Sequence, residues 1–148
     1  MVLLKFGIDK DEAEIEKLLN LKSEEGIDLA KIEEFLSSRG FKTEYCYDFK
    51  NFDDAVKRIY DFLSDGFVVI ALVNRFIYDR KTPLIGKKVF WETDKFSLHY
   101  VVITGMDNSF IYFNDPHQDV GKTRLSKEKF TQAWSDLPWK FVFLAIKK

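Results

Sequence analysis

A chain of 148 residues that is 46% hydrophobic and 32% charged is long enough for one domain with a sizeable core, and too apolar to be disordered. A formal charge of −1 supplies no basic field for nucleic acid, no apolar run approaches the ~20 residues of a membrane span, and the apolar start is too short for a signal-peptide core, so a cytoplasmic location is expected. The single cysteine, Cys46, excludes an internal disulfide and any cysteine-based zinc cluster.

In chain order, Met1 to Phe6 is apolar and stops at Gly7, as the last turns of a helix closed by a glycine would. Asp9 to Leu21 predicts an amphipathic helix. Asp9 is its N-cap, with Glu12 three residues on, and Ile15, Leu18 and Leu19 form its apolar stripe. Asp28 caps a second helix, where Leu29, Ile32, Phe35 and Leu36 recur at helical spacing before Gly40. Phe41 to Phe49 alternates as a strand, with Phe41, Thr43, Tyr45 and Tyr47 on one face and Lys42, Glu44, Cys46 and Asp48 on the other. The polarity of the second face places this strand at a sheet edge. Asn51 caps a third helix with Phe52, Val56, Ile59, Tyr60 and Leu63 inward, closed by Asp65 and Gly66.

Phe67 to Val73 is a continuous apolar run rich in β-branched residues, which fits a strand buried on both faces. Residues 74–97 form a long irregular connection carrying Phe76, Tyr78, Phe90 and Trp91, of a length expected of either a functional or a disordered segment. Lys87 to Trp91 could add a strand. Leu98 to Met106 and Phe110 to Asp115 then read as a β-hairpin around Asp107, Asn108 and Ser109, with Pro116 stopping the second strand. After a turn over residues 118–122, Ser126 caps a fourth helix carrying Phe130, Ala133, Trp134 and Leu137, and Phe141 to Ile146 is the last strand. There are no repeats or linkers. The expectation is one domain over residues 1–148, of α+β class, with a helical half packed on an antiparallel sheet.

The hairpin carries the chemistry. His99 opens one strand and Asp115 closes the other, so an antiparallel pairing brings the two to the same end of the sheet. A carboxylate beside an imidazole sets the ring tautomer and stabilises its cation, which is two-thirds of a Cys-His-Asp hydrolase site. Cys46 is a poor nucleophile, because it lies mid-strand, away from any helix N-terminus, with carboxylates at Glu44 and Asp48 that disfavour a thiolate. His99, Asp115, His117 and Asp119 could be drawn as a mixed metal site, but no helical His spacing supports it. Arg80, Lys81, Lys87 and Lys88 read as a solvated basic face. Gly121, Lys122 and Thr123 lack the preceding glycine of a phosphate loop.

The blocks Gly66 to Ala71, His99 to Ile103 (His-Tyr-Val-Val-Ile), Asp115-Pro116, Gly121, Phe130 to Trp134 and Phe141 to Ile146 follow one another as they do in a known family. They resemble the papain-like cysteine peptidases of the bacteriocin-processing, double-glycine-leader type, over nearly the whole chain. The resemblance implies a papain-like fold, His99 as general base and Asp115 as its partner. In that family the nucleophilic cysteine lies near the start of the first helix, with an oxyanion-hole glutamine just before it. The resemblance implies that Met1 to Ile8 corresponds to the segment that follows that cysteine, with no counterpart expected for either residue within residues 1–148. The expected function is therefore a non-catalytic or truncated relative, with a remnant His99–Asp115 dyad in a cleft of peptide-binding type. The alternative is an active cysteine peptidase or acyl-transfer enzyme whose nucleophile lies upstream of Met1. No cofactor or metal is expected. The expected partner is a peptide or protein segment in the cleft, with no nucleic acid and no membrane. The short first helix should leave apolar sheet surface for a second copy to cover as a homodimer.

Overall fold

Local sequence sets the helix ends in the computed structural model, which describes residues 6, 12–19, 28–75, 98–116 and 121–148. Its elements are α1 (Glu12–Leu18), α2 (Leu29–Ser37), β1 (Lys42–Cys46), α3 (Phe52–Ser64), β2 (Val68–Asn74), β3 (Leu98–Met106), β4 (Phe110–Asp115), β5 (Gly121–Ser126), α4 (Lys127–Ser135) and β6 (Phe143–Lys147). Three of the expected caps form. The Asp28 carboxylate accepts from the Lys31 N–H at 2.8 Å, the Asn51 side-chain oxygen from Asp54 N–H at 2.9 Å, and the Ser126 hydroxyl from Lys129 N–H at 3.2 Å. The expected cap at Asp9 lies outside the described residues.

Helices α2 and α3 end alike. After α2, Gly40 N–H donates to the Ser37 carbonyl and Phe41 N–H to Leu36; after α3, Gly66 N–H donates to Leu63 and Phe67 N–H to Phe62. This is the Schellman arrangement. It needs a left-handed residue, supplied by Gly40 at φ 78° and Gly66 at φ 80°. Each glycine is followed by a phenylalanine that folds back. The Phe67 ring centroid lies 5.0 Å from that of Phe62, and Phe41 packs in one cluster with Leu36.

The described strands form one sheet in the order β1-β6-β2-β3-β4-β5, with every neighbouring pair antiparallel. β2 is buried along its whole length, as its apolar run predicts, and β1 is an edge strand, as its polarity predicts. β5 was not expected; residues 118–122 read as a turn. Only Thr123 and Leu125 of β5 oppose the inward residues Phe113 and Ile111, so the apolar signal of this strand is too short to read.

Two clusters of side chains flank the sheet. On one face α3 and α4 cover Val69, Ala71, Val73, Val101, Ile103, Ile111 and Phe113, with Trp134 fully buried among aromatic rings. On the other, α2 covers Ile70, Leu144 and Ile146. The α+β class with an antiparallel sheet is as expected, with helices on both sheet faces. One inward assignment fails: Tyr60 is 57% exposed, and Ala55 and Phe62 complete the buried stripe of α3 instead. Tyr60 follows Ile59, so one residue of helical rotation carries it past the sheet.

The β3–β4 hairpin closes as expected at Asp107. Its N–H donates to the Phe110 carbonyl, and its carboxylate accepts from the Ser109 and Phe110 N–H groups. The ladder is not regular. The pairing shifts between Ile103 and Gly105, which makes Thr104 the extra residue of a β-bulge.

Candidate functional site

β3 runs between β2 and β4, so its first residues lie at one end of the sheet beside the last residues of both neighbours. Val73 and Asn74 of β2 pair with His99 and Leu98, and β4 ends at Asp115. His99 and Asp115 meet there, with the ring Nε2 2.6 Å from the Asp115 Oδ1. The carboxylate has no exposed surface and the imidazole side chain is 18% exposed. Burying a carboxylate is costly unless its oxygens are bonded, and the ring supplies one such bond. With Nε2–H donating to Asp115, Nδ1 keeps its lone pair and can take a proton from a thiol or a water. Asp115 thus sets the tautomer that a general base requires.

Cys46 is not the group that His99 could serve. Its row across the sheet runs Cys46, Phe143, Ala71, Val101, so β6 and β2 stand between β1 and β3. Three strand spacings amount to about 14 Å. The thiol is half-buried against the core, and burial pushes its pKa up. The Arg58 guanidinium, which also pairs with Glu44 at 2.9 Å, opposes that rise, while Glu44 adds to it. The carboxylate argument from sequence holds for Glu44, but burial is the larger cause.

Among the described residues, no group of three or more His, Cys, Asp and Glu side chains could hold a metal ion. His117 and Asp119 lie outside the described residues. So do Arg80, Lys81, Lys87, Lys88, Phe76, Tyr78, Phe90 and Trp91. No helix among the described residues is long and apolar enough to cross a membrane. A groove of about 610 Å³ at the β1 edge, lined by Tyr45, Tyr47, Phe49, Pro138 and Trp139 among others, contains neither His99 nor Asp115. Sequence reasoning missed one polar residue of the site's end of the sheet. Asn74, read as the start of the long connection, is the last residue of β2, fully buried, and donates from Nδ2 to the Asp136 carboxylate at 2.7 Å. Its signal was a lone amide closing an apolar run.

The fold has known counterparts. The solved peptidase domain of Streptococcus ComA, described as a bi-functional ABC transporter involved in a quorum-sensing pathway, superposes with a TM-score of 0.63 at 21% identity, covering 98% of this chain and 83% of that one. The Streptococcus mutans ComA peptidase domain gives 0.57 at 20% identity over 92% of this chain and 86% of that one. A C39-like peptidase from Bacillus anthracis gives 0.53 at 21% identity over 80% and 57%. At such identities these likenesses establish the fold. No curated protein matches the chain. The sequence pattern of the Peptidase_C39-like family matches residues 1–138, and with the papain-like fold in place the chain belongs to that family.

Proposed function

We propose that this domain is a peptidase-like binding module: a C39-type cleft that keeps the His99–Asp115 dyad, holds a peptide or protein segment and does not hydrolyse it with its own residues. The observation that carries this reading is the position of Cys46, the single cysteine of the chain, half-buried on β1 with two strands between it and β3. His99 has no thiol of this chain to deprotonate. Losing one member of a catalytic triad costs on the order of 10⁴–10⁶ in rate. The test is a thiol-directed alkylating probe together with a mixed peptide library. Cys46 should label at the same slow rate in the wild type and in His99→Ala, with no peptide cleaved. Labelling or cleavage that depends on His99 would overturn the reading.

A second reading is favoured by the dyad itself, whose 2.6 Å contact and fully buried carboxylate are what an acting base needs. In it, the domain is an active cysteine peptidase or acyl-transfer enzyme whose sulfur is supplied by residues ahead of Met1. An in-frame glutamine-then-cysteine segment upstream in the gene selects this reading; an in-frame stop codon there removes it.

A further inference from the structure

Among the described residues, the buried polar or charged residues are Asn74 and Asp115, and each is the last residue of its strand. The two strands are β2 and β4, the neighbours of β3 on either side. The start of β3, which carries His99, is therefore bracketed by the two polar or charged residues that are buried among the described residues. Such groups are costly to bury, and their placement on either side of β3 at one end of the sheet calls for a role.

The two brackets hold different things. Asp115 holds the ring. It does not hold the backbone, because the β3–β4 ladder starts only at Val102 opposite Asn114. Between Leu98 and Val101, β3 is paired to β2 alone: Leu98 to Asn74, His99 to Val73, Tyr100 to Leu72 and Val101 to Ala71. Whatever fixes the end of β2 fixes the backbone from which the imidazole projects. Asn74 is fixed by the Asp136 carboxylate at 2.7 Å, from the residue that caps the end of α4. That contact spans 62 residues of chain. α4 is itself anchored by the fully buried Trp134, whose indole N–H donates to the Val142 carbonyl.

We propose that Asp136 is a positioning residue for His99. It clamps Asn74, the clamped end of β2 holds the first residues of β3, and these hold the imidazole at its distance from Asp115. The inference rests on reading His99 and Asp115 as the dyad of the cleft.

The test is the imidazole N–H proton shared with Asp115, followed by NMR on the whole protein as its downfield resonance and its rate of exchange with solvent. Asp115→Asn reports on the dyad alone and should abolish the resonance; if it does not, the dyad reading fails, and the inference with it. Asp136→Leu removes the acceptor without touching a strand, and Asn74→Ala removes the donor. Each should speed exchange of the ring proton by about fivefold to tenfold, the scale of one lost hydrogen bond. Asp136→Asn keeps an acceptor oxygen at the same place and should restore the wild-type rate. Near-UV circular dichroism of the tryptophans checks that each variant is folded, and Asp136→Leu carries the test if Asn74→Ala does not fold. If Asp136→Leu is folded and exchanges its ring proton at the wild-type rate, while Asp115→Asn loses the signal, the positioning role is overturned and the dyad stands.

Discussion

At the scale of the residue, two carboxylates of the hairpin do opposite work. Asp115 is buried and gives His99 its tautomer. Asp107 is fully exposed at the turn, and its carboxylate accepts from the Tyr112 hydroxyl at 2.7 Å and from the Ser109 and Phe110 N–H groups. The Tyr112 hydrogen bond, followed by the two backbone bonds, holds the Asp107 carboxyl below the usual carboxylate value. Because the folded value lies below the unfolded one, the stabilisation is complete above the ordinary pKa of about 3.9 and is lost as pH falls through the folded value. Asp107→Asn should therefore melt at a lower temperature than the wild type at neutral pH, with the gap closing in acid. Melting curves from about pH 7 to about pH 2 check it, and a gap independent of pH would place the effect in the turn backbone rather than in the charge.

At the scale of the element, the bulge in β3 decides which side of the sheet the imidazole occupies. Near the turn the pairing is Met106 with Ile111 and Gly105 with Tyr112. Continued without interruption, that ladder would set Val102 opposite Asp115 and leave His99 on the far face, since a one-residue offset exchanges the faces. Thr104 absorbs the offset. Pairing resumes at Ile103 with Phe113 and Val102 with Asn114, which puts Asp115 on the face shared by Val101 and His99. The consequence is asymmetric. Deleting Thr104 leaves Ile103 and Gly105 adjacent and opposite Phe113 and Tyr112, a regular ladder, so the deletion should keep the His99–Asp115 bond. Deleting Val102 instead carries His99 to the other face and should abolish it. The imidazole N–H resonance separates the two, and loss of the signal in both deletions would contradict this account of the register.

At the scale of the molecule, the sheet is held between two apolar clusters, and the larger is built on aromatic rings. Trp134 has no exposed surface, and its ring centroid lies 5.3 Å from Phe141, 5.6 Å from Phe130, 6.0 Å from Phe143 and 6.2 Å from Phe52. Its indole N–H shares the Val142 carbonyl with the Leu72 N–H. One side chain thus joins α3, α4 and β6. Trp134→Ala should cost about 3–5 kcal/mol, and Trp134→Phe less, since the ring volume is partly kept and Val142 retains one donor. Denaturant midpoints with an unchanged m value check this; a loss below about 1 kcal/mol for the alanine variant would mean that the cluster collapses onto the vacancy.

Much of this was legible in the order of residues. The caps at Asp28, Asn51 and Ser126, the glycines that close α2 and α3, the buried run of β2, the polar edge strand and the hairpin are all local, and each is set by groups within a few positions of one another. The family and the pairing of His99 with Asp115 followed from the same blocks. What the sequence could not reveal is long-range. Alternation with period two does not show where an extra residue enters a ladder, so the face of His99 waited on the bulge at Thr104. Nor does it show that Asn74 meets Asp136, that Tyr60 turns to solvent, or that β5 completes the far edge, because each depends on what the folded chain brings alongside. Residue types determined which groups could do chemistry here; register and packing, which are properties of pairs distant along the chain, decided which of them meet.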